Sequence, residues 1–187
     1  MGHSQKDKEK NHEQIVEIAA QKMREAGTDG PGVAEIMSAA GLTHGGFYKH
    51  FDSRDDLVAE AVEAAIAEGE AGYREVIGGA ADPLAAFADW YLSSSHRDNP
   101  GSGCAVVALG ADATRADGRV QGAYRGQVER YVATMEELLG GGGADARRRA
   151  IAAVSSMVGA LLMARAVGDE DLSEEILAAA RESVASA

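Results

Sequence analysis

Along most of the chain, apolar side chains return every three or four positions, the spacing of helices buried on one face. Ile15, Ile18, Ala19, Met23 and Ala26 form a first stripe and predict a helix over about 11–26, ended by Gly27. Val33, Ile36 and Met37 predict a short helix that stops at Ala39–Ala40–Gly41. Phe47 and Phe51 share one face of a third short helix that follows Thr43. Leu57, Val58, Ala61, Ala65 and Ile66 predict a long helix from about Arg54 to Ile77, and Leu84, Phe87, Trp90 and Tyr91 a helix over 83–95.

Further on, Cys104–Ala113 reads as a short apolar helix and Gly118–Leu139 as a long one. Ile151, Val154, Val158, Leu161 and Leu162 mark a helix over 144–167, and Leu172, Ile176, Leu177, Ala180 and Val184 a last one. The total is about nine helices with no strand pattern and no internal repeat.

Breakers and caps fall where the stripes end. Thr28–Gly32 holds three breakers in five residues, Gly78–Gly79 ends the long helix, and Gly140–Gly143 is a linker. Asp52–Ser53 is placed to cap the helix at Arg54, whose first turn carries Asp55 and Asp56. Asp82–Pro83 supplies an N-cap and a first-turn proline. Asp171 with Glu174 reads as a capping box for the last helix.

The spacing over Val33–Phe51, a helix, a glycine-containing turn and a second short helix, is that of a helix-turn-helix. In such a unit the second helix enters the major groove of DNA. Thr43 would cap it, while His44, Gly45 and Gly46 form the turn nearest the base edges. Tyr48 and Lys49 offer a hydroxyl and a cation to phosphates, and His50 a further donor. The expected domains are a flexible tail over 1–10, a DNA-binding domain over 11–52, and a helical body over 53–187 for effector binding and dimerisation. Lys6, Lys8 and Lys10 of the tail could follow phosphates, although a solvated terminus accounts for them as well.

Charge complicates this picture. The net charge is −12, and residues 1–52 hold six Lys/Arg against eight Asp/Glu. The head is the less acidic part but is not basic, so binding through bulk electrostatics is excluded and a few placed contacts must suffice. The composition, 45% hydrophobic and 26% charged, is that of an ordinary globular protein. One cysteine excludes an internal disulfide and any multi-cysteine metal site, which fits a reducing cytoplasm. No run approaches 18 uninterrupted apolar residues, so no membrane span is expected. There is no phosphate loop, G-x-S-x-G or H-E-x-x-H, and the five His, including His3, His12 and His96, do not cluster. Neither a catalytic site nor a cofactor is expected.

Residues 12–62 resemble the TetR/AcrR family of bacterial transcriptional regulators. The resemblance rests on V-x-x-I, A-A-G-L-T, G-x-F-Y-x-H-F and the following S-R-D-D-L. It implies a three-helix DNA-binding domain joined to a helical bundle that dimerises through its last two long helices and releases an operator when a small effector binds. It places Thr43, His44 and Gly46 in the groove and Tyr48 and Lys49 on phosphates. Two positions depart from the family pattern. Gly32 stands where a capping hydroxyl is usual, and Gly46 where a threonine is usual.

For the body, the resemblance implies a ligand cavity on the middle helices, where Trp90, Tyr91, Cys104, Leu109, Tyr124 and Tyr131 lie. These could instead be ordinary core. Cys104 follows a glycine-rich loop at a helix start, so an alternative is a repressor that senses electrophiles or oxidants through this thiol. The stripes Ile151, Val154, Ser155, Val158 and Leu162, with Ile176, Leu177 and Ala180, are the expected dimer interface. The resulting expectation is an all-α, cytoplasmic, homodimeric repressor that binds double-stranded DNA. Activation in place of repression, and a helical adaptor without DNA contact, are the remaining alternatives.

Overall fold

The computed structural model describes residues 5–116 and 118–186, and all regular structure among them is helical. The first helix, α1, spans Gln5–Ala26, so residues 5–10 of the expected tail extend it; residues 1–4, with His3, lie outside the described residues. Next come α2 (Val33–Ala39), a 3₁₀ turn over His44–Lys49, and α3 (Arg54–Gly78). The remaining helices are α4 (Pro83–Tyr91), α5 (Ser94–Asp98), α6 (Ala105–Ala113), α7 (Gly118–Leu138), α8 (Ala144–Ala166) and α9 (Glu170–Ala185). A second 3₁₀ turn, Pro100–Ser102, precedes α6.

Local chemistry accounts for most of the boundaries. The Ser53 hydroxyl accepts the Asp56 N–H at 3.0 Å, and Asp82 accepts the Ala85 N–H at 3.0 Å. The helix expected over 83–95 stops at Tyr91. Ser93 accepts the His96 N–H at 3.1 Å and starts α5, because a run of serines offers the backbone a local alternative to continued helix. The last helix is capped by Asp169, which accepts the Leu172 N–H at 2.8 Å, and not by the expected pair Asp171 and Glu174. Glu174 is taken instead by Arg97, at 3.0 Å.

Two cores form. One joins Ile15, Ala19 and Met23 of α1 with Ile36, Met37, Phe47, Phe51, Leu57 and Ile66, and Ala105, Leu109 and Val120 of the body complete it. The other packs Tyr73, Phe87, Tyr91 and Leu92 against Met135, Met157, Leu161 and Leu177. The helix α3 serves both, its first half in the head and Tyr73 in the body. Packing therefore does not divide at residues 52–53. Leu109, expected beside a ligand, is a core residue of the head.

By length and composition α8 could cross a membrane. Here it packs against α7 and α9, with Ala150, Met157 and Leu161 facing the core. Val154, Leu177 and Ala180, expected at a dimer interface, belong to the chain's own core.

Polar contacts tie head to body. The Arg24 Nε donates to the Gly101 carbonyl at 2.6 Å, and Thr28 donates to Asp112 at 3.0 Å. Arg119 reaches Asp56 and Glu63 at 3.2 and 2.9 Å. A Cβ on Gly101 would meet the Glu25 carboxylate and lie 3.1 Å from Gln21 Cγ, so a larger residue here would have to displace the Glu25 side chain on α1.

His96 is buried beneath Trp90, their rings stacked 5.3 Å apart. Its Nε2 accepts the Cys104 N–H at 2.9 Å, which fixes Nδ1 as the protonated nitrogen donating to the Tyr91 carbonyl at 2.7 Å. Burial pulls its pKa below the ordinary value, against the rise caused by the Tyr91 carbonyl. The unfolded chain therefore takes up this proton first as pH falls. Stability from neutral His96 is complete above about pH 6.5 and declines below it. Thermal unfolding should show His96→Gln with a shallower loss of stability between pH 7 and 5 than the parent; equal slopes would remove His96 as the cause.

Candidate nucleic-acid interface

The reading turn is positioned by a stop signal at the end of α2. Gly41 has φ +70°, its N–H bonds to Ser38 O at 3.0 Å, and the Leu42 N–H bonds to Met37 O at 2.9 Å. This is a Schellman arrangement, which satisfies two terminal carbonyls and turns the chain sharply. Thr43 then occupies the N-cap of the next element. Its hydroxyl makes no capping bond and is left exposed.

The expected second helix is a 3₁₀ turn, with His50 at its C-cap. Gly45 and Gly46 explain the difference, each costing roughly 1 kcal/mol of helix stability relative to Ala. Burial of Phe47 and Phe51 contributes about 1.5–3 kcal/mol apiece and outweighs that loss. Both rings are 2% exposed and lie 5.4 Å apart. Phe51 also stacks on His12 of α1 at 4.6 Å, and His12 in turn bonds to Glu60 at 2.7 Å. The turn is thus held by α1 and α3 and not by its own backbone.

This packing leaves one face of the turn in solvent. Thr43, His44, Gly45, Tyr48 and Lys49 are exposed, Tyr48 at 75%, and Gly46 is half-buried. A Cβ at Gly46 would meet Met37 and Thr43 at ordinary contact distances, and one at Gly45 would meet nothing. His50 differs from the others. It is half-buried, with Nδ1 enclosed and without a partner among the described residues. Burial first, then the charges of His12, Lys8 and Lys49, lowers its pKa, so it is neutral near pH 7. At Gly32 the cap of α2 has no side-chain bond.

In the body, Tyr91, Cys104 and Tyr131 come together. The Tyr91 hydroxyl lies 3.2 Å from the Cys104 sulfur, and the Tyr131 hydroxyl 3.5 Å from it. Burial, followed by the neighbouring thiol, pushes both phenols above their usual range, so both remain protonated. The cavity beside them, between Phe87, Val154 and Met157, is only about 10 Å³. Trp90 stacks on His96 at 5.3 Å and meets the Tyr91 ring edge-on at 6.3 Å, and Tyr124 donates to the Val106 carbonyl at 3.1 Å. The sequence reading missed Arg24, Arg97 and Arg165, which are buried or half-buried at the head–body junction. The signal for Arg24 was its place four residues after Ala20, on the buried side of α1.

The fold and the exposed turn define a helix-turn-helix protein. Residues 15–61 match the family model described as bacterial regulatory proteins, tetR family. The chain is 28% identical over 81 residues to the HTH-type transcriptional repressor KstR2 of Mycobacterium tuberculosis H37Rv, covering 43% of this chain and 40% of the relative. It is 32% identical over 72 residues to KstR2 of Rhodococcus jostii RHA1, covering 38% and 35%. These matches therefore span two-fifths or less of the relatives' length.

Similarity to solved structures extends over the whole fold. A TetR transcriptional regulator from Chloroflexus aurantiacus superposes with a TM-score of 0.83 at 23% identity, covering 97% of this chain and 95% of the other. The reduced form of E. coli NemR gives 0.78 at 20% identity, covering 94% and 95%. Over residues 15–61 the chain is thus similar to the tetR family of bacterial regulatory proteins, and over its whole length it shares the fold of these solved structures.

Two glycines separate geometry from propensity. Gly41→Ala forces a left-handed residue and should cost about 1–2 kcal/mol, lowering the melting temperature by several degrees. Gly45→Ala, in open space at negative φ, should be neutral or stabilising by up to about 1 kcal/mol. Thermal unfolding of the two variants checks the contrast, and equal effects would contradict it.

Proposed function

We propose that the protein is a dimeric, effector-controlled transcriptional repressor that acts on DNA in the cytoplasm. The observation that carries the reading is the exposed face of the 3₁₀ turn, presented by a buried aromatic stack. Thr43, His44, Gly45 and Gly46 enter the major groove. The two glycines keep the backbone low against base edges, and His44 is the side chain that discriminates among them. Tyr48 and Lys49 hold phosphates on either side. His50, neutral and half-enclosed, orients the turn and at most donates one neutral bond. An acidic chain gains little from general attraction, so these few contacts carry the affinity.

The second copy docks on α8 and α9. Ile151 and Leu162 are 45% and 52% exposed, and Ser155 lies between them on the same face. Val158 and Ile176 are half-buried beside them. Pairing these faces through a two-fold axis yields four packed helices and two reading turns, which calls for a palindromic operator.

The effector acts on the helical body over 53–187. Trp90, Tyr91, Cys104, Tyr124 and Tyr131 offer hydroxyls and rings for it, and among the described residues the buried Tyr73 hydroxyl and Gln127 amide nitrogen have no close partner. Occupancy requires this packed interior to open. Cys104 is 3% exposed and bonded to the Tyr91 hydroxyl, which favours a packing role over a sensing one.

Binding to the DNA upstream of the protein's own gene, followed by fluorescence anisotropy, tests the reading. Lys49→Ala should weaken binding uniformly across sequences and reduce the salt slope by about 1. His44→Ala should change the preference at particular base pairs. No salt-dependent binding by the parent would favour a helical adaptor. In sedimentation at micromolar concentration the parent should run as a dimer and Ile151→Glu as a monomer; a monomeric parent would contradict the proposed interface.

A further inference from the structure

Two hollows flank the Pro100–Ser102 turn where it meets α1. The first, about 860 Å³, lies between α1 and α3 and is walled by acidic groups that include Glu17 and Glu68. The second, about 650 Å³, lies between the end of α1, α6 and the α8–α9 turn. Arg24 lines both. Its side chain is 2% exposed, which makes it the most enclosed cation at this junction.

The guanidinium of Arg24 is only partly used. Nε donates to the Gly101 carbonyl at 2.6 Å and Nη2 to Glu68 at 2.8 Å, and both partners line the first hollow. The opposite edge carries Nη1, which is buried and has no partner among the described residues. A buried donor on a charged group normally finds an acceptor, and a shift of the Arg24 side chain toward a hollow would give Nη1 one. Arg24 also lines the second hollow, where neither Gly101 nor Glu68 takes part.

A second cation faces the same space. Arg165 donates to the carbonyls of His96 and Arg97 at 2.7 and 3.1 Å, and among the described residues no carboxylate is bonded to it. Burial lowers its pKa, and the nearby Asp98 carboxylate opposes that shift. Asp98 itself is committed to Arg97, as are Glu170 and Glu174. Arg97 is therefore saturated, while Arg24 and Arg165 have capacity left. Beside them Val107, Ala108 and Ala164 supply an apolar wall.

We propose that the second hollow binds a small monocarboxylate with an apolar body, its charge taken by Arg24 and Arg165 and its hydrocarbon laid against Val107, Ala108 and Ala164. The rim carboxylates Glu25 and Asp169 disfavour a second negative charge, which sets monocarboxylates apart from phosphate esters. An occupant touches both the end of α1 and the α8–α9 turn, so it shifts the head against the dimerising helices. That consequence at DNA, though not the site itself, rests on the proposed repressor reading.

Calorimetric titration of the full chain with octanoate near pH 7.5, where carboxylates are ionised, tests the site. One octanoate should bind per chain, and 1-octanol should bind at least ten-fold more weakly. Arg165→Met should weaken octanoate at least ten-fold and Glu25→Gln should tighten it several-fold. Arg24→Met should abolish binding, but it also removes the Gly101 and Glu68 bonds. If that variant fails to fold by circular dichroism, Arg165→Met and Glu25→Gln decide alone.

Absence of octanoate binding up to about 10 mM, equal binding of octanol, unchanged affinity in folded Arg165→Met, or no tightening in Glu25→Gln would each overturn the site. Octanoate that binds in this pattern but leaves DNA binding unchanged would overturn the coupling alone. A chain that binds no DNA even without octanoate would overturn the repressor reading and leave the site intact.

Discussion

Phe47 and Phe51 hold the reading turn by burying their rings against His12 of α1 and the start of α3, and most other features of the head follow from that packing. Six residues with two adjacent glycines cannot keep a helical conformation alone. The turn borrows its shape from the core, so its outward face is free to be chosen for contact. The same dependence makes the head sensitive to α1. Anything that displaces α1 also moves the stack on which the turn rests.

The position of α1 is in turn set from the body. The Pro100–Ser102 turn presses against it through Gly101, and Arg24 bridges that turn to α3. Ala105, Leu109 and Val120 insert into the head's own core. Head and body therefore share one packed unit along α1, α3 and α6. A change in the body reaches the reading turn through direct contacts, with no need for a long relay.

Much of this was legible in the sequence, and the reasons differ from element to element. Stripes such as Ile15, Ala19 and Met23 located the helices because the period of burial is a local property. Ser53 and Asp82 fixed helix starts because a cap acts over three residues. Asp169 was missed as the cap of α9 because two acidic residues lie within its reach, and only the end of α8 at Gly168 decides between them. The exposed face of the reading turn was legible; its 3₁₀ geometry was not, since two glycines lower helix propensity without specifying the alternative. The division of α9 into core and surface was also hidden. Leu177 and Ile176 are adjacent in one stripe, and tertiary packing alone buries the first fully. Arg24, Arg97 and Arg165 are brought to one hollow from three distant segments, which no local pattern records.

The central claim, a two-fold protein that reads DNA through a pair of exposed turns, is tested most directly by hydroxyl-radical footprinting on the DNA upstream of its own gene. The account predicts two protected patches related by a two-fold axis, with centres about one helical turn apart or a multiple of it. A single unpaired patch, or cleavage unchanged at saturating protein, would contradict it.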